Sequence, residues 1–265
     1  MKFLLYCSLL CFVSLVQSQE LRITYIGNEG VLIEGSGQKV MIDALFDNYY
    51  KPYLSPDAST IKNMMDGVAP FNNLNVLLST HIHRDHFEVA LTGQFLTAHP
   101  ETQYFSSEQI KNELEKEYDK YQSIKTRVQG YVRDQISHES ESGGVKLKSF
   151  FVYHSGGERN QSIQNMGFIA DLGGIKVLHL GDSDSLKERY KSLNLVQYDI
   201  DVALVPYWFL TSDQGQEIIN DFIKPKQLIG IHFPKAGSPL ALKEIKQRFP
   251  NAQVFQNASE TYIHN

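Results

Sequence analysis

Residues 80–86 constrain this chain more than any other part of its sequence. They read Thr-His-Ile-His-Arg-Asp-His and follow an apolar run that predicts a buried strand. In an extended segment alternate side chains share a face, so His81 and His83 can approach one ion from the same side. Asp85 and His86 lie beyond that face, where a turn can direct them to a second ion. Imidazole and carboxylate groups are ready zinc ligands, so the segment predicts a metal site.

A solvated histidine-rich turn is the alternative interpretation of residues 80–86. A single histidine would favour it, but four ligand-type side chains in six residues after a buried strand favour metal binding. A catalytic zinc ion keeps one position open for water. Two adjacent ions can hold a hydroxide and polarise the bond that it attacks. The segment is therefore a candidate centre for metal-assisted hydrolysis.

Length and charge narrow the class of protein. The 265 residues, 42% of them hydrophobic, suit one large globular domain with a sizeable core. The formal net charge is -5, and the sequence contains no basic stripe interleaved with aromatic residues. Nucleic acid is therefore not an expected partner.

Residues 1–18 predict a cleavable signal peptide. Lys2 supplies the positive start, residues 3–16 are almost entirely apolar, and the small residue Ser18 ends the segment. The apolar stretch is too short for a membrane span. We therefore expect a secreted or periplasmic domain comprising residues 19–265.

Two other interpretations of the N-terminal segment stay open. One is an uncleaved anchor. The other is lipidation of Cys11, which is disfavoured because the bulky residue Leu10 precedes it. Both cysteines, Cys7 and Cys11, lie in this segment, so the mature domain is expected to have neither disulfides nor cysteine ligands.

The pattern of apolar runs predicts a layered α/β sandwich. Strands separated by glycines open the domain, and strands then alternate with helices. An amphipathic helix is expected over residues 106–124, a strand over 132–136 and a turn over 139–144. The other expected strands cover residues 21–26, 31–34, 39–43, 75–79, 102–105, 145–154, 167–172, 175–180, 202–206, 227–231 and 253–255. The other expected helices cover residues 87–98, 186–193, 216–223 and 240–249.

The motif His-X-His-X-Asp-His at residues 81–86 resembles the metal-binding motif of the metallo-β-lactamase superfamily. The opening strands resemble the first β-layer of that fold, so the resemblance implies a four-layer αββα sandwich over nearly the whole mature chain. It also implies that Asp43 hydrogen-bonds a ligand histidine and fixes its orientation. From the residues alone, Asp43 would be a turn residue at the end of a strand.

The resemblance implies three further ligands, each at a predicted strand end: His154, Asp182 and His232. Taken singly, Asp182 could be a helix cap and either histidine a buried core residue. As a set, the resemblance implies two zinc ions bridged by Asp182, with a water between them as the nucleophile and Asp85 as the group that orients it and accepts its proton. The implied ligands are His81, His83 and His154 for the first ion, and Asp85, His86 and His232 for the second.

The remaining histidines are not expected to bind metal. His99 and His138 fall in predicted loops, His264 lies near the C-terminus, and His179 is expected in the core. Segments near the predicted ligands are candidates for substrate contact on position alone. These are residues 160–165 and 207–209, together with an aromatic loop at 45–56 that could either line a pocket mouth or cover the core.

Several comparisons within the superfamily narrow the predicted chemistry. Asp182 stands where β-lactamases of this fold carry cysteine or serine, so lactam hydrolysis is disfavoured. His83 distinguishes the chain from flavin-linked di-iron members, and the protruding basic arm of the tRNA-processing members is not seen in the sequence. The leading prediction is an exported zinc-dependent hydrolase that cleaves an ester, lactone or phosphodiester bond in a small molecule.

The alternative is a catalytically silent metal-binding protein of the same fold. Six terminal ligands and one bridge leave room for water on the ions, which favours the enzyme. The fold alone does not identify the substrate, and the sequence does not predict the oligomeric state.

Overall fold

A computed structural model describes residues 20–47, 51–134, 137–235 and 237–265. Within them, two seven-stranded sheets pack against each other, and helices cover the outer face of each sheet. The predicted αββα sandwich is confirmed. The predicted signal peptide lies outside the described residues.

The first sheet is built mainly from the N-terminal half of the chain. Its strands are β1 (Leu21–Gly27), β2 (Gly30–Gly35), β3 (Gln38–Ile42), β4 (Val76–Leu78), β5 (Gln103–Ser107), β6 (Val128–Tyr131) and β14 (Thr261–His264). Their order across the sheet is β14-β1-β2-β3-β4-β5-β6. Pairing is antiparallel from β14 to β3 and parallel from β3 to β6.

The second sheet repeats this plan with the C-terminal half. Its strands are β7 (His138–Ser142), β8 (Val145–Tyr153), β9 (Gln164–Leu172), β10 (Ile175–His179), β11 (Val202–Pro206), β12 (Gln227–Ile231) and β13 (Gln253–Val254). The order is β13-β12-β11-β10-β9-β8-β7. Pairing is antiparallel from β7 to β10 and parallel from β10 to β13.

Short helices connect the strands on the outer faces. They are α1 (Ala58–Met65), α2 (Val89–Ala98), α3 (Glu108–Glu117), α4 (Tyr121–Ile124), α5 (Lys187–Leu193), α6 (Tyr207–Thr211), α7 (Asp213–Glu217) and α8 (Pro239–Arg248), with a π-helical segment, Ile218–Ile223, continuing α7. Side-chain caps define several starts: the Asp57 carboxylate accepts from Thr60 N–H, and the Glu88 carboxylate accepts from Ala90 and Leu91. No helix in the described part of the chain combines the length and the apolar character needed to cross a bilayer.

Three layers of apolar side chains hold the sandwich together. Strand β3 contributes side chains to two of these layers. Val40 and Ile42 face the core between the sheets, while Met41 faces the helices outside the first sheet. Both faces of such a strand are buried, so it reads as a continuous apolar run. The third layer lies between the second sheet and its helices.

All predicted metal ligands lie at one edge of the sandwich. Strand β4 leads into residues 80–86, and β8, β10 and β12 lead to His154, Asp182 and His232. Strands that run in the same direction end at the same edge of a sheet. The topology therefore gathers ligands that are far apart in the sequence.

The predicted helix over residues 106–124 is two helices. Helix α3 ends at Glu117, and Tyr118 adopts extended backbone angles of φ -98° and ψ 106°. Its ring packs directly over Gly93 of α2, where any Cβ would collide with it at 2.5 Å. The Tyr118 hydroxyl also lies 2.8 Å from Thr97 Oγ1. Packing of Tyr118 on α2 thus overrides the helical periodicity.

Three expectations around residue 139 are wrong. The predicted turn at 139–144 is mostly strand β7, which places His138 in a strand rather than a loop, and only Gly143 and Gly144 form the turn. The predicted strand at 132–136 is absent from its described part, because β6 ends at Tyr131; residues 135 and 136 lie outside the described residues.

Some elements were not predicted. Strand β14 includes His264 and pairs with β1, and helices α1 and α6 lie in segments for which no secondary structure was predicted. Strand β14 is exposed on alternate residues and β7 is polar, so neither has the apolar run that predicted the inner strands.

Candidate metal centre

The histidine-rich segment leaves β4 and folds back in a tight turn. The backbone N–H groups of His86 and Phe87 both donate to the carbonyl oxygen of His83, at 3.0 and 2.9 Å. As a result, His81 and His83 belong to one group of ligand-type side chains, and Asp85 and His86 to another.

The first cluster consists of His81, His83, His154 and Asp182, whose ligand atoms all lie within 4.8 Å of one another. His81 Nε2 and His154 Nε2 each lie 3.1 Å from His83 Nδ1. Asp182 Oδ2 lies 3.8 Å from His81 Nε2 and 3.5 Å from His154 Nε2. Three nitrogens and one oxygen converge, which is a donor set that suits zinc.

The second cluster consists of Asp85, His86 and His232, again within 4.8 Å of one another. Asp182 approaches it with its other oxygen: Oδ1 lies 3.3 Å from His86 Nε2 and 3.0 Å from His232 Nε2. The two carboxylate oxygens of Asp182 therefore face different clusters. A carboxylate placed in this way can bridge two ions.

Asp43 orients His86. Its Oδ2 accepts a 2.9 Å hydrogen bond from His86 Nδ1, which leaves Nε2 directed at the second cluster. Thr80 holds the carboxylate in turn, because its N–H and its hydroxyl donate to Asp43 at 2.7 and 2.5 Å. These contacts are the ones that the superfamily resemblance implied for Asp43.

Unusual backbone angles place Asp182 and His232. Gly181, before Asp182, has φ +58°, and an added Cβ would lie 2.6 Å from the Asn165 side chain and 2.7 Å from that of Thr80. His232 has φ +63°, which is costly for a residue with a side chain, and its N–H donates to the Asn28 carbonyl at 3.0 Å. Left-handed backbone at non-glycine residues is often retained where a site requires it.

The electrostatic environment keeps most cluster residues in metal-binding form. Burial lowers the pKa of His81, His83 and His154, so these imidazoles are neutral at pH 7. Burial alone would raise the pKa of Asp182, but His232 and His86 outweigh it and hold that pKa well below its usual range. A metal ion needs neutral imidazoles and an ionised carboxylate.

His86 behaves differently. Burial opposes its charge, yet Asp182, Asp85 and Asp43 together raise the pKa of His86 well above its ordinary value. A cation at the second cluster would have to displace this proton.

Unpartnered polar atoms test whether the residues fit a metal. Asp182 Oδ1 and both ring nitrogens of His232 are buried without a hydrogen bond among the described residues, because the 3.0 Å contact between Oδ1 and Nε2 lacks hydrogen-bond geometry. Leaving such groups unpaired costs free energy, and a bound cation would compensate it. The donor atoms, their convergence and these unpaired groups fit a pair of metal ions.

Two further residues at this site, Asn28 and Glu29, were not predicted from the sequence. Both lie in the turn between β1 and β2 and have no exposed surface. Asn28 Nδ2 lies 3.2 Å from Asp85 Oδ2 and 3.1 Å from His86 Nε2. A Glu29 carboxylate oxygen lies within 4.8 Å of ligand atoms of Asp182 and His232, and within the same distance of ligand atoms of Asp43 and His86. The turn between short hairpin strands gave no sequence signal of burial.

His179 is a buried residue outside both clusters. Its Nε2 donates to the Glu29 carbonyl at 3.0 Å, and its Nδ1 accepts from Gly181 N–H at 3.1 Å. The backbone occupies both ring nitrogens, which agrees with the expected core role. His99 is also buried and hydrogen-bonds the carbonyls of Met64 and Met65.

A cavity of about 590 Å³ opens over the clusters. Tyr53 and Trp208 stand at its wall, with ring centres 4.3 and 5.1 Å from that of His232. The cavity is lined by Tyr53, Ile82, His83, Arg84, Asp85, His154, Ser155, Gly156, Arg159, Asn160, Asp182, Trp208 and His232.

The segments proposed for substrate contact divide between cavity and core. Asn160 and Trp208 line the cavity, whereas Asn165 is buried and donates to the Leu180 carbonyl, and Phe209 is a core residue. The aromatic loop divides in the same way: Tyr53 lines the cavity and Phe46 is buried in the core. Tyr49 and Tyr50 lie outside the described residues.

Comparisons with known proteins agree with this fold. A UPF0173 metal-dependent hydrolase of Thermococcus onnurineus is 28% identical over 113 residues, which is 40% of this chain and 50% of that protein. One from Staphylococcus aureus is 23% identical over 228 residues, which is 80% of this chain and 86% of that protein. In structure, the metallo hydrolase Igni18 of Ignicoccus hospitalis matches with a TM-score of 0.63 and 18% identity, covering 93% of this chain and 99% of Igni18. The short form of human tRNase Z matches with a TM-score of 0.57 and 13% identity, covering 92% and 98%.

The αββα sandwich and the two clusters at its edge define a protein of the metallo-β-lactamase fold. A family model described as a beta-lactamase superfamily domain matches residues 22–232, well over half of the chain. The chain belongs to this superfamily, as the resemblance of residues 81–86 predicted.

Proposed function

We propose that the protein is a metal-dependent hydrolase that holds two zinc ions and cleaves an ester, lactone or phosphodiester bond. The placement of Asp182 carries the proposal, because its Oδ2 faces three imidazoles while its Oδ1 lies 3.3 Å from His86 and 3.0 Å from His232. The similarity to UPF0173 metal-dependent hydrolases supports it.

The chain's own residues would divide the work. When bound, two zinc ions would supply an activated water at neutral pH and polarise the scissile bond. His81, His83 and His154 would hold the first ion, Asp85, His86 and His232 the second, and Asp182 both. Asp85 lines the cavity and receives a hydrogen bond from Asn28 Nδ2. From that position its carboxylate would orient the attacking water and accept its proton.

The cavity favours a small substrate that carries negative charge. Arg84 and Arg159 line it, with Arg84 also lying 3.6 Å from Asp47. A guanidinium in the cavity wall suits a phosphodiester or a carboxylate-bearing ester, because it pairs with anionic oxygens. The rings of Tyr53 and Trp208 offer an apolar wall for the rest of the molecule.

Two other roles compete with this one. A catalytically silent metal-binding protein would not need ligands that open into a cavity, yet His83, Asp85, His154, Asp182 and His232 all line it. The expectation that nucleic acid is not a substrate stays a prediction, since human tRNase Z shares the fold. The net charge of -5 argues against a nucleic-acid substrate.

Export is also part of the proposal. Its support is the apolar segment at residues 3–16 after Lys2, followed by the small residue Ser18. A cell-fractionation experiment with an N-terminal sequence of the exported form would test it. An exported protein beginning at Gln19 is expected, and a full-length membrane-bound chain would favour the anchor.

The decisive experiment combines metal analysis with a substrate panel. Purified protein would be assayed for zinc content and for hydrolysis of chromogenic phosphodiester, lactone, ester, thioester and lactam substrates, before and after chelation. We expect about two zinc ions per chain and chelator-sensitive hydrolysis of one class, the phosphodiester or an ester. Bound zinc with no hydrolysis of any substrate would favour the silent binding protein, and no bound metal would refute the metal centre.

A further inference from the structure

Glu29 occupies an unusual place for a glutamate in a hairpin turn. The turn joins β1 to β2, and Asn28, which precedes Glu29 in the turn, has φ +47°. The Glu29 carbonyl accepts the 3.0 Å hydrogen bond from His179 Nε2. Gly30 packs so closely on Asp43 that a Cβ added at Gly30 would lie 2.8 Å from the Asp43 carbonyl oxygen. The turn is therefore fixed against the ends of the neighbouring strands. Its glutamate side chain has no exposed surface.

The Glu29 carboxylate lacks any conventional partner. Neither oxygen has a hydrogen-bond partner among the described residues, although the side chain is completely buried. Burial, followed by the charge of Asp182, raises the pKa of Glu29 well above its usual range. A buried acidic group with no partner is destabilising, so its presence needs an explanation.

The neighbours of Glu29 supply that explanation. One of its oxygens lies within 4.8 Å of a ligand atom of Asp182 and of one of His232. A Glu29 oxygen also lies within 4.8 Å of ligand atoms of Asp43 and His86. Glu29 is therefore adjacent to two members of the second cluster and to the carboxylate shared by both clusters. Two atoms bound to one zinc ion at about 2.0–2.2 Å are at most about 4.4 Å apart. A small side-chain adjustment would bring Glu29 into such a set.

We propose that Glu29 is an additional carboxylate ligand of the ion held by the second cluster. This inference rests on the proposed metal function. The second ion would then have three carboxylates and two imidazoles within reach, compared with one carboxylate and three imidazoles for the first. A cation in contact with Glu29 would favour its ionised form and give its unpaired oxygens a partner. Glu29 thus increases the affinity of the second cluster alone.

Metal titration of the chelator-stripped protein tests this without relying on activity. Zinc would be added to the wild type, to Glu29→Gln and to Glu34→Gln in competition with a chromophoric chelator. The control residue Glu34 lies on β2, pairs with Lys39 at 3.3 Å and is remote from both clusters. We expect Glu29→Gln to keep the first zinc site unchanged and to bind the second ion at least about tenfold more weakly, by analogy with losses at supporting groups of metal sites. Glu34→Gln should match the wild type.

Thermal unfolding separates ligation from a structural role. The glutamine amide in Glu29→Gln has the size of the acid it replaces, so the metal-free variant should unfold at a temperature no lower than the wild type. Zinc should then raise the unfolding temperature less in Glu29→Gln than in the wild type. If Glu29→Gln fails to fold, Glu29→Asp keeps the charge at a shorter reach, and an intermediate loss of second-site affinity is expected.

The outcomes distinguish this inference from the proposed function. Two zinc ions with equal affinities in the wild type and in Glu29→Gln would overturn the Glu29 assignment and leave the metal centre intact. Reduced metal-free stability with unchanged zinc affinity would do the same. Failure of the wild type to bind two ions would refute the metal centre itself, and with it the role of Glu29.

Discussion

The two clusters differ in what surrounds their ligands. In the first, His83 and His154 line the cavity, and the main support of His154 is a 2.6 Å hydrogen bond from Nδ1 to the carbonyl of Ser155. In the second, His86 is fully buried, Asp43 and Asn28 hydrogen-bond it, and Glu29 lies beside it. Asp85 and His232 of the second cluster also line the cavity, so the clusters do not differ in access. They differ in how many polar neighbours orient the buried histidine of the second cluster.

The largest effect is expected from Asp182→Ala, which removes the one group common to both clusters. The Nε2 atoms of His86 and His232 would lose the Asp182 oxygen that lies 3.3 and 3.0 Å from them, so the second ion should dissociate. Turnover should fall by at least about 10²–10³-fold, the loss typical of one charge-stabilising group in an active site. Zinc content and hydrolysis rate would be measured against Asp221→Ala, an exposed control. Retained turnover with two bound ions would contradict the bridging role.

Asp43→Asn is expected to affect the two clusters unequally. The Thr80 N–H donates to one Asp43 oxygen, while the Thr80 hydroxyl and His86 Nδ1 donate to the other, and an asparagine has a single acceptor oxygen that cannot serve both positions. We expect the second ion to bind about 10- to 100-fold more weakly, with a smaller change at the first. Zinc titration would be compared with Asp57→Asn, which alters an exposed helix cap in α1. Equal weakening at both clusters would indicate a general distortion and not the loss of His86 orientation.

The pH dependence of the metal-free protein is expected to follow the buried histidines whose pKa is lowered. Burial lowers the pKa of His81, His83, His154 and His179, whereas the pKa of His86 is raised. Below about pH 6.5, the unperturbed pKa of histidine, these four side chains bind protons in the unfolded chain but stay unprotonated in the folded protein. The free energy of unfolding should therefore fall with decreasing pH, by about 1.4 kcal/mol per pH unit for each net proton.

His86 acts in the opposite direction, because its stabilising charge is present at low pH and is lost as pH rises through its raised pKa. Glu29, whose pKa is also raised, acts in the same direction as His86. Urea unfolding of chelator-treated protein at several pH values would measure the balance of these two groups against the four histidines. The variant His154→Gln should show a shallower dependence than the wild type. A stability that is flat or rises on acidification would contradict the lowered pKa values of the first cluster.

The smallest effect is expected from His179→Gln. This side chain hydrogen-bonds only the backbone of Glu29 and Gly181, and the glutamine should lose one of these bonds. Zinc content should stay unchanged while stability falls by about 1 kcal/mol. Metal analysis and thermal unfolding would check both parts. Loss of an ion would show that His179 belongs with the ligands.

The sequence predicted the inner part of the fold well. Strands β11 and β12 are found over residues 202–206 and 227–231 as expected, because parallel strands buried on both faces are continuous apolar runs. The edge strands β7 and β14 escaped prediction because half or more of their side chains meet solvent. Helix α3 ended early because of Tyr118, whose contact with Gly93 is tertiary and leaves no mark on local periodicity.

The site was predictable to a different extent. The spacing of ligand-type residues in 81–86 predicts a metal site without further information, whereas His154, Asp182 and His232 were found only through the superfamily resemblance. Strand direction brings these residues together, and single-residue patterns do not encode it. Glu29 could not be found, because a glutamate beside glycines in a hairpin ordinarily faces water. Its burial depends on how closely the turn packs on Asp43 and His179.

The ligands come from both halves of the sandwich, and this has a thermodynamic consequence. His81, His83, Asp85 and His86 follow a strand of the first sheet, while His154, Asp182 and His232 follow strands of the second. Any ion bound by this set is a cross-link between the halves, present only while they are packed together. Free metal at a hundredfold excess over its dissociation constant would add about 2.7 kcal/mol per ion to the free energy of unfolding. Metal scarcity would therefore loosen the sandwich along the seam between its sheets.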